Sequence, residues 1–368
     1  MSSVRSRLDS VAEARSAAQG ARAPRVRALG ACPVCRSTSS SEVFVAPDFL
    51  LGVPGEYRYV RCRECASVYQ DPRVEEEDLP ICYSSDYFTH HVSGAEPALP
   101  PVRSDGLRGR LRRAILHAAD GQTAAGLGRG LRGLGWLLAR LPSLRRRARY
   151  GLADPLGTAG GEERCLEVGP GRGVDLRQLG RIGWQPHGLE MDPVAAANAR
   201  AVSGHEVRVG TLLTTDYPPA SFQLIYMSHV LEHLPQLERS LTRCLELLAP
   251  GGRLFAAYPN PSALTTRFHG RHSCVWDPPR HLTLPTKGAV LGLLGRVGFV
   301  RTRAWTSAMR AEAYRGASAR HARGERGFGT GGPNPIDRLF AALERVMVMA
   351  GANVGEEILV VGHRPGPE

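Results

Sequence analysis

From Glu163 onward, short apolar runs alternate with longer stretches in which apolar residues return at helical spacing. Strands are predicted at Cys165–Val168, His187–Glu190, Glu206–Val209 and Phe222–Met227, then at Arg253–Ala257, Phe299–Trp305 and Glu357–Val361. Helices are predicted between them at Asp175–Leu179, Pro193–Ala201, Leu237–Leu248 and Thr286–Leu294. This alternation marks an α/β fold whose sheet is crossed over by helices. The segment Met309 to Gly355 breaks the rhythm with a Gly-rich loop and one amphipathic helix, Ile336–Met349. It reads as an insertion near the substrate entrance, at about 309–355, within a domain spanning 156–368.

Upstream the pattern is weaker. Between Leu107 and Tyr150 helical spacing occurs in places, as in Leu111 followed by Ile115 and Leu116, but Gly126, Gly128, Gly130, Gly133 and Gly135 interrupt it. Each glycine costs about 1 kcal/mol relative to alanine in a helix, so two helical pieces with a soft joint are expected in a linker at 76–155. Tyr83, Tyr87 and Phe88 could form a small aromatic cluster at its start. Residues 1–30 are rich in Arg, Ser and Ala and lack an apolar core, which suits a disordered tail rather than a secretory signal. No apolar run approaches the eighteen residues of a membrane span. A cytoplasmic protein is expected.

Charge changes this picture in one region. The formal net charge is +12, and twelve arginines lie between Arg103 and Arg149 against Asp105 and Asp120. That stretch could rest on an anionic surface, phosphate or lipid headgroup, or could be a solvated helical linker. Nucleic acid is the competing partner, but the stretch lacks interleaved aromatics for base stacking.

Four of the eight cysteines form two C-x2-C knuckles, Cys32–Cys35 and Cys62–Cys65, on either side of twenty-six residues. Two such turns supply four thiolates to one tetrahedral ion, so residues 31–75 are predicted to form a zinc ribbon. A closed four-thiolate site leaves no open coordination position, and its Zn2+ would be structural. Cys165 and Cys244 read as small buried apolar residues.

The first strand of the main domain runs into Glu167-Val-Gly169-Pro-Gly171-Arg-Gly173, a glycine bend at a strand end that opens a helix. Ligands with a nucleotide-like part bind there in α/β sheets. Val174 stands where the dinucleotide fingerprint needs its last glycine, which argues against a pyrophosphate. The next strand ends at Glu190, about twenty residues on, where a carboxylate can accept two hydrogen bonds from ribose hydroxyls. Asp192, followed by Pro193, is suited to cap the next helix.

The ordered set LEVGPGRG, GLEMDP, SFQLIYMSHVLEHL, LLAPGGRL and YPN resembles the class I S-adenosylmethionine-dependent methyltransferases, in particular the bacterial group with an N-terminal zinc ribbon. The resemblance covers about 30–90 and 163–306, with GEEILVVGHR as the closing strand. It implies a Rossmann-like sheet of seven strands with a reversed last strand, a small zinc ribbon in front, and S-adenosyl-L-methionine as cofactor. It also implies that Glu167, Gly169, Gly171 and Gly173 hold the methionine end, with Glu167 near the ammonium, and that Glu190 binds the ribose. Met191, Thr211, Leu212 and Ser228 complete the implied cofactor set, Thr211 and Leu212 where the family contacts adenine. Thr211 replaces the usual acid, and Gln223 follows Phe222 in place of the usual aspartate.

Methyl transfer to an oxygen or carbon acid also requires a base, and histidine suits that task near neutral pH. His281, in a Pro-rich loop, is the preferred candidate and His229 the second. His233 suits a helix start hydrogen-bonded within the fold. In some related quinone O-methyltransferases the equivalents of Glu232 and His233 help bind a divalent metal. The expected function is methyl transfer to a small acceptor, such as a sugar, lipid-linked or natural-product intermediate. An RNA methyltransferase using the ribbon and the arginine stretch is the alternative.

Overall fold

The computed structural model describes residues 22–83, 107–120, 126–141, 144, 159, 162–327 and 332–366. Most of the expected tail and much of the arginine stretch, with Tyr87 and Phe88, lie outside these residues. The N-terminal part carries β1 (Val26–Arg27), β2 (Ser40–Ala46), β3 (Tyr57–Cys62), β4 (Val68–Gln70) and β5 (Arg73–Val74), followed by helices α1 (Leu107–Asp120) and α2 (Arg129–Leu138). Then come β6 (Arg164–Val168), α3 (Val174–Arg181), β7 (Gln185–Glu190), α4 (Pro193–Ser203), β8 (Val207–Val209) and β9 (Phe222–Ser228). The remainder is α5 (Leu237–Leu247), β10 (Leu248–Pro259), α6 (Leu264–His269), β11 (Thr283–Leu284), α7 (Lys287–Val297), β12 (Val300–Ser307), α8 (Ala311–Ala322), α9 (Pro335–Met349) and β13 (Glu357–His363).

The chain divides into two compact units, residues 89–210 and residues 1–88 with 211–368. In the first, β6, β7 and β8 are parallel neighbours, as expected for strands joined by helical crossovers. Their helices close a small core of Leu176, Ala196, Ala199 and Val207. Asp192 caps α4 as expected, accepting hydrogen bonds from the Val194 and Ala195 amides at 2.7 and 3.0 Å.

In the other unit β9 runs parallel to β10, while β13 lies antiparallel to both β10 and β12. That is the reversed closing strand the motifs implied. β13 is buried through Gly362, as a strand flanked on both sides must be. A separate antiparallel sheet has the order β11-β4-β3-β2. Its fourth strand, β11, comes from two hundred residues downstream, and Thr283 pairs with Tyr69. The cysteine-bearing hairpins and the loop carrying His281 therefore fold as one piece. Their shared core holds Tyr59, Val68, Val275, Trp276 and Leu282.

The segment 309–355 departs from expectation. It holds two helices, α8 and α9, where one was predicted. The inward side of α8 is Ala311, Ala317, Ser318 and His321, small or polar residues that leave no apolar stripe in the sequence. α9 opens on a capping box, with Asn334 and Asp337 each accepting the other's backbone amide at 2.9 Å. Among the described residues no helix is long and apolar enough to cross a membrane.

Candidate functional site

In residues 89–210 the glycine bend follows β6 directly. Gly169, Gly171 and Gly173 all have positive φ, of 67°, 51° and 72°, a region that side chains disfavour. Gly173 has a second reason to be glycine: an added Cβ would stand 2.6 Å from the Ala199 carbonyl oxygen of α4. Packing of α3 on α4 thus requires glycine here as well as the bend does. The Glu190 carboxylate accepts the Gly171 amide at 3.1 Å and the Asp192 amide at 3.2 Å, tying the tip of β7 to the bend. Burial raises the Glu190 carboxyl above its ordinary range, against these amides.

Glu167 lies at the end of β6, 2% exposed, and its Oε2 has no hydrogen-bond partner. Burial raises its carboxyl well above the usual value, and the charges of Asp175 and Glu190 add to the effect. An acid so placed is unfavourable unless a cation or donor meets it. A ligand ammonium would relieve that deficit. Met191 is half exposed beyond Glu190.

In the unit formed by 1–88 and 211–368, Thr211 spends its side chain on a local turn, with its Oγ1 3.0 Å from that of Thr214. Leu212 beside it is buried. Ser228 ends β9 and leads into a cluster of histidines. His229 holds a left-handed backbone, φ 56°, and donates from its amide to the Ala257 carbonyl at 2.8 Å. Its ring lies between two buried carboxylates, Glu357 at 3.0 Å and Glu232 at 3.4 Å. Burial by itself would lower the imidazole, but the hydrogen bonds to Glu232 and Glu357 outweigh it and raise His229 above its ordinary value.

His281 is buried, and its Nδ1 donates to the Val275 carbonyl at 2.7 Å. Because a carbonyl can only accept, Nδ1 carries a hydrogen, and Nε2 is the ring atom left to meet other groups. That Nε2 stands 3.8 Å from Glu232 and 3.9 Å from Asp277. The His233 ring lies edge-on to His281 at 4.8 Å. Its Nδ1 donates to the Arg280 carbonyl at 2.9 Å, with the Tyr83 hydroxyl at 3.1 Å, so it is anchored within the fold as the sequence suggested. Burial lowers His233 to about 4 and keeps it neutral. Glu232, His233 and His281 bring three potential ligand atoms within 4.8 Å of one another, a donor set that could also hold a divalent cation.

The His281 loop is held from several sides. The Tyr59 hydroxyl donates to the His281 carbonyl at 2.8 Å. Arg280, fully buried, makes paired hydrogen bonds to Asp48 at 2.6 and 2.9 Å and to Asp277 at the same two distances. Sequence reading missed this clamp because Asp48 is 232 residues away along the chain. It also missed Glu357, whose only signal was a pair of acids heading an otherwise apolar strand.

The four knuckle cysteines converge as spacing predicted. Their Sγ atoms lie within 4.8 Å of one another, with Cys32 to Cys65 at 3.7 Å and Cys35 to Cys62 at 3.4 Å. A tetrahedron with zinc–sulfur bonds of about 2.3 Å has edges of about 3.8 Å, whereas a disulfide would bring the sulfurs to about 2 Å. The two knuckles repeat one geometry. Arg36 and Ala66, both left-handed, donate to the carbonyls of Cys32 and Cys62 at 2.9 and 3.0 Å. The donor set and spacing fit zinc.

A match to the family of methyltransferase domains covers residues 138–303. This stretch is similar to methyltransferase domains. It contains the glycine bend, Glu190 and all three histidines of the cluster, but neither the cysteine knuckles nor α9. The chain is 31% identical over 103 residues to a ubiquinone biosynthesis O-methyltransferase of Xanthomonas euvesicatoria, covering 26% of this chain and 43% of that one. It is 29% identical over 96 residues to a Mycolicibacterium smegmatis protein named "Probable S-adenosylmethionine-dependent methyltransferase", covering 26% and 37%. The chain thus spans about two fifths of the length of these curated relatives. A Haemonchus contortus phosphoethanolamine N-methyltransferase structure aligns at a TM-score of 0.43 and 15% identity, over 60% of this chain and 53% of that one.

Proposed function

We propose that this protein transfers a methyl group from S-adenosyl-L-methionine to an oxygen or carbon acid of a small-molecule acceptor in the cytoplasm, with His281 as the base. S-adenosyl-L-methionine supplies an activated sulfonium methyl. Glu167 would meet the ammonium of its methionine part, with Gly169, Gly171 and Gly173 alongside, and Glu190 would accept from the ribose. Met191, Thr211, Leu212 and Ser228 would complete the cofactor set, Thr211 and Leu212 toward the adenine.

The observation that carries the reading is the His281 tautomer. With Nδ1–H committed to a backbone carbonyl, Nε2 is the ring atom placed to take a proton, and Glu232 beside it would stabilise the resulting imidazolium. His229 has both ring nitrogens engaged by carboxylates, Nδ1 by Glu232 and Nε2 by Glu357, so its role is to orient and charge-balance Glu232 rather than to meet the acceptor. The O-methyltransferase relatives support an acceptor of this class. The test is a screen of phenols, enols, sugars and total RNA with methyl-labelled cofactor; label in RNA alone would overturn the small-molecule reading.

Two outcomes follow. Glu190→Ala is expected to weaken cofactor binding about 100-fold or more in calorimetry, since hydrogen bonds to a charged acceptor contribute about 1.5–3 kcal/mol each. Unchanged affinity would place the ribose elsewhere. We also assign a structural Zn2+ to Cys32, Cys35, Cys62 and Cys65. Metal analysis should return one zinc per chain, and stripping it with a thiol-reactive mercurial and chelator should lower the thermal midpoint by 10 °C or more, on the basis of zinc-site energies of about 10 kcal/mol. Substantially less than one zinc per chain would defeat this assignment.

A further inference from the structure

The outward face of α9 is apolar. Ile336, Leu339, Leu343, Val346 and Met349 recur at three- and four-residue steps and are each between 51% and 79% exposed. Phe268 of α6, also exposed, extends the patch by packing edge-on against Phe340 at 5.4 Å. A contiguous apolar face of this kind on a globular protein marks a contact surface.

What borders the face identifies the partner. The two acids of α9, Asp337 and Glu344, both point inward and are buried. Asp337 pairs there with Arg315. The exposed margin carries Arg338 on α9, with Arg267 and Arg271 beside Phe268, and α6 and the turn after it contain no acid. An apolar stripe bordered by Arg338, Arg267 and Arg271 complements a surface that is itself apolar within and anionic at its edge. Two copies of this face would bring like charges together, which opposes self-association.

We propose that α9 and Phe268 form an interfacial docking face for an anionic lipid bilayer, lying in the headgroup plane with the arginines on lipid phosphates. The helix is fifteen residues long, and among the described residues no helix is long and apolar enough to cross a membrane.

Co-flotation of the full-length, zinc-loaded protein with vesicles tests the proposal. The probes are phosphatidylcholine vesicles with and without 30% phosphatidylglycerol (about a third anionic lipid, enough for a negative surface potential). Wild type should partition at least about tenfold more strongly to the anionic vesicles. Leu339→Glu/Leu343→Glu should abolish this, and Arg267→Glu/Arg271→Glu should reduce binding to anionic vesicles alone. All four positions are exposed or half-exposed, and unchanged circular dichroism and thermal midpoint will show that the variants fold. Absence of vesicle binding by wild type overturns the proposal. So does wild-type binding by the double leucine variant, which would move the contact to another surface. A wild-type dimer that this variant dissociates, without vesicle binding, would assign the face to a second copy of the chain.

Discussion

His281→Ala is expected to lower kcat by about 10²–10⁴-fold, the usual contribution of a positioned general base, while leaving the cofactor dissociation constant unchanged. The expectation rests on geometry. His281 is fixed by two hydrogen bonds in opposite directions, its own Nδ1–H to Val275 and the Tyr59 hydroxyl to its carbonyl. The ring is therefore held in one tautomer and one orientation before any acceptor arrives. With an acceptor found in the labelled-cofactor screen, turnover and calorimetry on the same variant separate catalysis from cofactor binding. Undiminished turnover would remove His281 from the mechanism. A parallel His229→Gln variant, which keeps a hydrogen-bonding side chain between Glu232 and Glu357, should lose less, because His229 acts through Glu232.

Arg280→Met is expected to destabilise the protein by about 3–5 kcal/mol, the cost of breaking a buried ion pair by removing one partner. The variant leaves Asp48 and Asp277 buried beside one another with no counter-charge. Its sign with pH is also fixed. In the wild type, burial raises Asp277, but the Arg280 charge and hydrogen bonds outweigh it and hold the carboxyl below its ordinary value. The native state then binds fewer protons than the unfolded chain, so this stabilisation is present above the unfolded carboxylate pKa and is lost as pH falls. Without Arg280 burial is opposed only by the weaker pull of His281 and His233, the Asp277 carboxyl is no longer held down, and the stabilisation at higher pH is lost. The gap in melting midpoint between wild type and variant should therefore widen from about pH 4 to pH 7. A gap that is small throughout would show that the clamp is not needed to hold the loop.

Which parts of this were legible beforehand follows from the range of each signal. β6, β9 and β13 declared themselves through apolar runs, since a strand buried on both faces needs apolar residues along its length. The knuckle turns and the glycine bend were equally legible, because spacing within a few residues sets their geometry. α8 was not, because small residues pack it and leave no periodic stripe. β11 was not either, because two residues acquire strand character only when β4 offers its edge.

The sequence by itself determined the α/β class, the cysteine quartet, the glycine bend and the acid after β7. Each depends on residue type and short-range spacing alone. Only the tertiary structure decided that His281 Nδ1 bonds the Val275 carbonyl with Nε2 toward Glu232, that His229 is enclosed by Glu232 and Glu357, and that Arg280 joins Asp48 to Asp277. Those properties arise from desolvation and hydrogen bonding that include partners 128 and 232 residues away, as for His229 with Glu357 and Arg280 with Asp48, and no local pattern encodes which of them will meet.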